Sequence, residues 1–167
     1  MQCIDARLHN KPAQIVGRLR QKIRENAGRY DRIYVAYADC GTGGAIDRLL
    51  AEEQIERLPG AHCYQFFAGR DRFAELSDAE PGTFYLTDFL ARNFEKLVVG
   101  PLKLDEHPEL RNAYFGNYRK LVFLSQAIDS ELLRMAKAAA QYLDLEFEHV
   151  HCGYGGLEAE LQAVASG

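Results

Sequence analysis

The spacing of apolar residues predicts a helix followed by a buried strand near the start of the chain. Apolar residues recur from Pro12 onward with the 3.6-residue period of an amphipathic helix, at Ile15, Val16, Leu19 and Ile23. Residues 32–37 (RIYVAY) then form a continuous apolar run rich in β-formers. Such a run is typical of a strand that is buried on both faces of a parallel sheet. A glycine-rich turn at residues 38–44 ends this strand, and a further helix is predicted from Ile46.

Strands and helices continue to alternate in the rest of the sequence. Strands are predicted at residues 84–86, 120–125 and 145–150, and helices follow them at 88–94, 130–142 and 157–164. No regular element is predicted between residues 98 and 116, where Pro101 and Pro108 interrupt the pattern. Short links between strands and helices indicate parallel βα units. The sequence therefore predicts one α/β domain over residues 1–167, an open three-layer Rossmann-like fold with a mostly parallel sheet.

Composition and charge narrow the class of protein. The 167 residues are 47% hydrophobic and 26% charged, which is typical of a globular protein. Twenty basic residues against 24 acidic ones give a net charge of −4, which argues against a nucleic-acid partner. No apolar run approaches the ~20 residues that cross a bilayer, so no membrane association is expected. The first residues show no basic segment followed by an apolar stretch, and a cytoplasmic location is predicted.

Polar and reactive residues follow each of the clearer predicted strands. The carboxyl ends of parallel strands lie at one edge of the sheet, where open α/β folds bind ligands. The residues predicted to meet there are Asp39, Cys40, Gly41, Thr42, Gly43 and Gly44 after the first strand, Thr87 and Asp88 after the second, Ser125 and Gln126 after the third, and His151, Cys152, Gly153 and Tyr154 after the fourth. A small-molecule ligand is expected at this edge, with Tyr154 among its binding residues. Asp88 is predicted to cap a helix, or alternatively to orient a histidine or act as a base.

The segment Asp39–Gly44 is the sharpest single feature of the sequence. Glycines allow backbone amides to approach a ligand, and the following helix presents its positive end. A Cys40 thiol in that position is expected to have a lowered pKa and to serve as a nucleophile or a metal ligand. The alternative is a tight turn in which glycine satisfies the backbone and Cys40 only fills space. The spacing matches neither the P-loop nor the full dinucleotide fingerprint.

The cysteines and histidines suggest a soft metal site. The four cysteines are widely spaced and form no CxxC pair, so a disulfide framework is not expected in the cytoplasm. Thiolate and imidazole ligands suit zinc, iron or cobalt. The predicted ligands are Cys40, His62 and Cys63, with Cys152 or His151 contributing. The alternative is that these cysteines are small buried residues without a metal.

Several blocks of this sequence resemble a known family. They are residues 34–44 (YVAYADCGTGG), 58–64 (LPGAHCY), 80–89 (EPGTFYLTDF), 107–110 (HPEL) and 114–119 (YFGNYR). Together they are similar to the signature blocks of the domain of unknown function family 1638. The resemblance implies a link to one-carbon metabolism, because the family's members are encoded beside corrinoid-dependent methyltransferases for methylated amines. It also implies that this chain lacks a first strand and its Cys-Gly turn, so that an exposed sheet edge could favour a homo-oligomer.

Three functions are consistent with these observations. The first is a metal-binding protein (zinc, iron or corrinoid cobalt) in methyl transfer from methylated amines, with a corrinoid protein or methyltransferase as its partner. The second is a metal-independent enzyme in which Cys40 is the nucleophile, the amides of residues 41–44 stabilise negative charge and His62 or His151 is the base. The third is a binding module whose cysteines are structural.

Overall fold

The chain folds into two compact units: the described residues up to Cys63 together with Gln162 form the first, and those from Tyr64 to Glu158 form the second. The computed structural model describes residues 2–39, 41–58, 60, 62–154, 157–158 and 162. Among these residues, no helix is both long enough and apolar enough to cross a membrane.

The amino-terminal unit joins two short parallel strands to two helices. After a 3-10 turn at Ala6–Asn10 it contains α1 (Pro12–Asn26), β1 (Tyr34–Val35), α2 (Ala45–Glu52) and β2 (Glu56–Arg57). The core is formed by the apolar stripes of both helices together with β1, namely Ile15, Leu19, Ile23, Val35, Ile46, Leu49 and Leu50. The helix predicted from Pro12 is thus confirmed, whereas the strand predicted over residues 32–37 is hydrogen-bonded as a strand only at Tyr34 and Val35.

The carboxyl-terminal unit contains a three-stranded parallel sheet. Its elements are α3 (Tyr64–Ala68), α4 (Arg70–Ala79), β3 (Thr83–Thr87), α5 (Asp88–Arg92), a π-helical turn (Glu95–Val99), α6 (Leu110–Phe115), β4 (Lys120–Ser125), α7 (Ser130–Leu143) and β5 (Glu146–His151). The strand order is β3-β4-β5, and both pairings are parallel. β4 lies in the middle, and five of its six residues are buried.

Each face of this sheet carries its own apolar cluster. On one face, Leu121 and Phe123 of β4 pack with residues of α5 and α7. On the other, Val122 and Leu124 pack with Phe73 and other residues of α3 and α4. Since successive side chains of a strand point to opposite faces, the uninterrupted apolar run of β4 serves both clusters. The unit therefore has helices on both faces of a parallel sheet, and the predicted open α/β fold is confirmed.

Some elements differ from their predictions. The stretch from 98 to 116, for which no element is predicted, contains α6 and part of the π-helical turn. Of the helix predicted over residues 157–164, Leu157, Glu158 and Gln162 are helical, and the others lie outside the described residues.

Candidate functional site at the carboxyl edge of the sheet

Two histidines of β5 converge on a buried serine at the end of β4. The Ser125 hydroxyl oxygen lies 2.9 Å from Nε2 of His149 and 3.0 Å from Nδ1 of His151. Ser125 pairs with His151 in the sheet register, and His149 pairs with Phe123. Because His149 and His151 are two residues apart on one strand, both rings lie on the same face of the sheet. The sequence thus presents a His-x-His pair to one hydroxyl.

The environments of these three residues differ. Ser125 is 1% exposed, whereas both histidines are exposed. The His149 ring stacks on Phe123 at a centroid distance of 5.4 Å, which fixes its orientation. A hydroxyl group has a single proton, so Ser125 can donate to only one of the two imidazole nitrogens and has to accept from an N–H of the other. At least one of the two ring nitrogens that face the hydroxyl therefore carries a proton.

Hydrogen bonds of Asp88 connect the loop after β4 to the start of α5. Its carboxylate oxygens accept hydrogen bonds from the backbone N–H groups of Gln126, at 3.0 Å, and Ala127, at 2.9 Å. In return, the backbone N–H of Asp88 donates to Oε1 of Gln126 at 3.2 Å. The prediction that Asp88 caps the helix is wrong, because Thr87 is the N-cap and its hydroxyl accepts from the Leu90 N–H at 3.4 Å. Asp88 instead orders the loop that follows β4 at the carboxyl edge of the sheet.

Cys152 lies on the other side of the sheet from the two histidines. It packs against the cluster that contains Val122 and Leu124, and its Sγ donates to the Ser125 carbonyl at 3.3 Å. Burial, reinforced by the Asp88 carboxylate and opposed by the Gln126 side chain, raises the pKa of the Cys152 thiol. A protonated thiol is a poor nucleophile and a poor metal ligand. Tyr154, which follows on the same loop, is 57% exposed.

The glycine-rich turn of the amino-terminal unit is organised by Asp39. Oδ1 of Asp39 accepts from the Thr42 hydroxyl at 2.5 Å and from the Gly44 N–H at 2.9 Å. Gly41, Gly43 and Gly44 all have left-handed backbones, with φ of 81°, 63° and 76°. This requirement explains the glycines, since other L-residues are strained there. The sequence predicts that the Gly44 N–H is available to a ligand. In the structure this N–H donates its hydrogen bond to the Asp39 carboxylate.

The predicted metal ligands include residues of both units and one residue outside the described structure. Cys40 lies outside the described residues, His62 is exposed and Cys63 is half-buried. Across the part of the chain that the structure describes, no three His, Cys, Asp or Glu side chains form a group that could hold a metal ion. Of the predicted ligands, His151 is the one that faces a second imidazole across a shared contact.

Ser125 is predicted to lie at this edge but is given no role there, and His149 is absent from the predicted site residues. Both are visible in the sequence, Ser125 at a strand end and His149 two residues before His151. The signal that identifies them is the His-x-His spacing on a strand of period-two pattern, which places two imidazoles on one face.

Comparison with known families identifies the chain. A family model described as "Protein of unknown function (DUF1638)" matches residues 3–161. The chain belongs to this family. The matched range of this DUF1638 protein includes both the Asp39–Gly44 turn and the His149–His151 pair, so the expected resemblance is confirmed. No curated protein and no solved structure matches the chain. The family description states no activity. The residues at the carboxyl edge of the sheet are therefore the basis for its chemistry.

Proposed function

We propose that this DUF1638 protein binds a divalent transition metal ion through His149 and His151. The observation that carries the proposal is the convergence of two imidazole nitrogens on one oxygen, at 2.9 and 3.0 Å. Imidazole is a common ligand of zinc, copper, iron and nickel. Two rings on one face of a strand, held in orientation by Phe123 and Ser125, form a prearranged pair of donors.

The proposed site fits the metal by its donor set and its exposure. Both histidines are exposed, so an ion can reach them from solvent. Each ring would bind the ion in its neutral form through the lone pair of one ring nitrogen, and a ring that binds through the nitrogen turned away from Ser125 would keep its contact with the hydroxyl. A bound ion would act as a Lewis acid at its open positions, where a small-molecule ligand or a group of a partner protein would bind. Ser125 would then hold one of the two rings in place.

Metal binding by His149 and His151 would be consistent with the methyl-transfer function that the family resemblance implies. We propose methyl transfer from methylated amines as its setting, with a corrinoid protein or a methyltransferase as the partner. Cys40, His62, Cys63 and Cys152 remain proposed ligands of a separate or larger centre, and zinc, iron and corrinoid cobalt remain the proposed metals.

Metal titration of the full chain tests the proposal. Protein purified without chelator is titrated calorimetrically with Zn²⁺, and with Co²⁺ to record ligand-field absorption. We expect binding to be lost in the His149→Asn/His151→Asn double variant and kept in His107→Asn, which alters an exposed histidine outside the site. Undiminished binding by the double variant would overturn the proposal.

A second pair of variants tests the cysteine ligands separately. The Cys40→Ala/Cys63→Ala double variant and the Cys152→Ser variant are titrated in the same way. Loss of the metal from either variant, with the histidine double variant unaffected, would assign the centre to the thiols and remove it from β5.

A further inference from the structure

A cleft of about 430 Å³ in the carboxyl-terminal unit lies outside the site described above. It is bordered by the π-helical turn, the segment that leads from this turn to α6, and the last turn of α7. Because α7 ends at Leu143 and β5 begins at Glu146, the cleft lies near the start of β5, whereas His151 is at the other end of that strand. Clefts of about 300–1,000 Å³ are typical of small-molecule sites.

The floor of this cleft is apolar. Val99 and Leu104 line it and are 2% and 1% exposed. The Leu104 N–H donates to the Val99 carbonyl at 3.0 Å, which closes the backbone between them into a compact loop. The Tyr142 ring borders the cleft and is held by an edge-to-face contact with Phe94, at a centroid distance of 6.0 Å. An apolar group of a ligand can therefore be covered on two sides.

Arg111 contributes an oriented guanidinium group to the rim of the cleft. Its Nη1 donates a hydrogen bond to the Tyr142 carbonyl in the last turn of α7, at 3.1 Å. Within the described residues this is the one hydrogen bond of the Arg111 side chain, and a guanidinium group has five N–H donors. The contact with α7 restrains the side chain while other donors stay available. Arg111 is thus suited to bind a carboxylate.

Two carboxylates, those of Glu95 and Asp105, also line the cleft. Within the described part of the chain, neither carboxylate forms an ion pair or a hydrogen bond, with Arg111 or with any other residue. By contrast, the neighbouring Glu106 pairs with Lys103 at 3.8 Å. The cleft thus combines groups of both charges that do not neutralise each other, which makes it complementary to a ligand that itself carries both charges.

We infer that this cleft binds a free α-amino acid with an apolar side chain. Arg111 pairs with the α-carboxylate, because the planar fork of its N–H donors matches two carboxylate oxygens. Glu95 and Asp105 accept hydrogen bonds from the α-ammonium group, whose three N–H donors suffice for both. The side chain of the amino acid packs against the apolar floor. A ligand with a single charge leaves either the guanidinium group or the two carboxylates without a partner.

Titration of the ¹⁵N-labelled full chain with L-leucine or L-phenylalanine tests the inference. We expect saturable shifts of the amide signals of residues 95–111. Leucinamide keeps the ammonium group without the carboxylate, and N-acetylleucine keeps the carboxylate without the ammonium group. Each should bind about tenfold more weakly than L-leucine or worse, because one set of charged hydrogen bonds is lost. The absence of saturable shifts with both amino acids, or equal binding of either analogue, would overturn the inference.

Variants of the charged residues test which group binds which charge. In Arg111→Gln, L-leucine should lose its advantage over leucinamide, because neither ligand then has a partner for a carboxylate. In Glu95→Gln/Asp105→Asn, L-leucine should lose its advantage over N-acetylleucine. This double variant removes no hydrogen bond between described residues, so its thermal unfolding without ligand should match that of the unaltered protein. Arg72→Gln, which alters an exposed residue of α4, is the control. Unchanged selectivity in both cleft variants would contradict the assignment.

Discussion

Removing the Asp88 carboxylate should loosen the loop that follows β4. The Asp88 carboxylate accepts hydrogen bonds from the backbone N–H groups of Gln126 and Ala127, with N···O distances of 3.0 and 2.9 Å. A hydrogen bond to a charged group contributes about 1.5–3 kcal/mol, and the half-buried position of Asp88 places each bond at the lower end. We therefore expect Asp88→Ala to destabilise the loop by about 3 kcal/mol. Asp88→Asn, which keeps one acceptor oxygen, should have about half that effect.

Hydrogen–deuterium exchange followed by mass spectrometry measures this effect locally. A loss of about 3 kcal/mol corresponds to exchange of the Gln126 and Ala127 amides that is faster by about two orders of magnitude. Asp78→Ala, which removes an exposed carboxylate from α4, is the control and should leave these amides unchanged. Exchange within threefold of the unaltered protein would refute the argument that Asp88 holds this loop.

Four further substitutions test other features of the fold. Gly82→Ala should lower the free energy of unfolding in urea by about 1–3 kcal/mol, because the added Cβ would lie 2.9 Å from a backbone carbonyl oxygen. Gly17→Ala should raise it by about 0.5–1 kcal/mol, because Gly17 has a helical backbone and open space around its Cβ. Tyr85→Phe should be neutral or stabilising by about 1 kcal/mol, because no described residue gives the buried Tyr85 hydroxyl a hydrogen-bond partner. Burial raises the pKa of Tyr85, so the unfolded chain loses this proton first as the pH rises. Stability should therefore fall with alkaline pH less steeply in the variant, and one high-pH phenol ionisation should be missing from its absorbance titration at 295 nm. Asp39→Ala should abolish the protection of the Gly44 amide from exchange, and retained protection would contradict the role of Asp39 in the turn.

The fold was predictable where apolar residues are dense. β4 has the predicted bounds of residues 120–125, because its continuous apolar run satisfies clusters on both faces of the sheet. By contrast, β2 consists of Glu56 and Arg57, two polar residues that carry no strand pattern. The helix α4 buries only Phe73 and Leu76, too few apolar positions to reveal a period in the sequence. Elements that bury few apolar side chains leave little trace in the sequence.

The candidate site was predictable in position more than in role. Parallel strands place Asp88, Ser125 and His151 at one edge of the carboxyl-terminal unit, as predicted. Ser125 lies beside His151 because of the relative register of β4 and β5. No pattern in the sequence predicts this register. Asp88 has the residue type and position of a helix cap, and only the neighbouring loop reveals its other partners. The role of Cys40 stays a prediction.

The parallel order of β3, β4 and β5 has a consequence for synthesis on the ribosome. Five of the six residues of β4 are buried, and its neighbour β5 is translated only after the whole of α7. During that interval the edge of β4 that will receive β5 has no partner, and exposed apolar strand edges favour aggregation. The fourteen-residue helix α7 is available before β5 to cover one face of β4. Variants that weaken α7 are therefore expected to lower the yield of soluble protein during expression more than their effect on the finished fold would suggest.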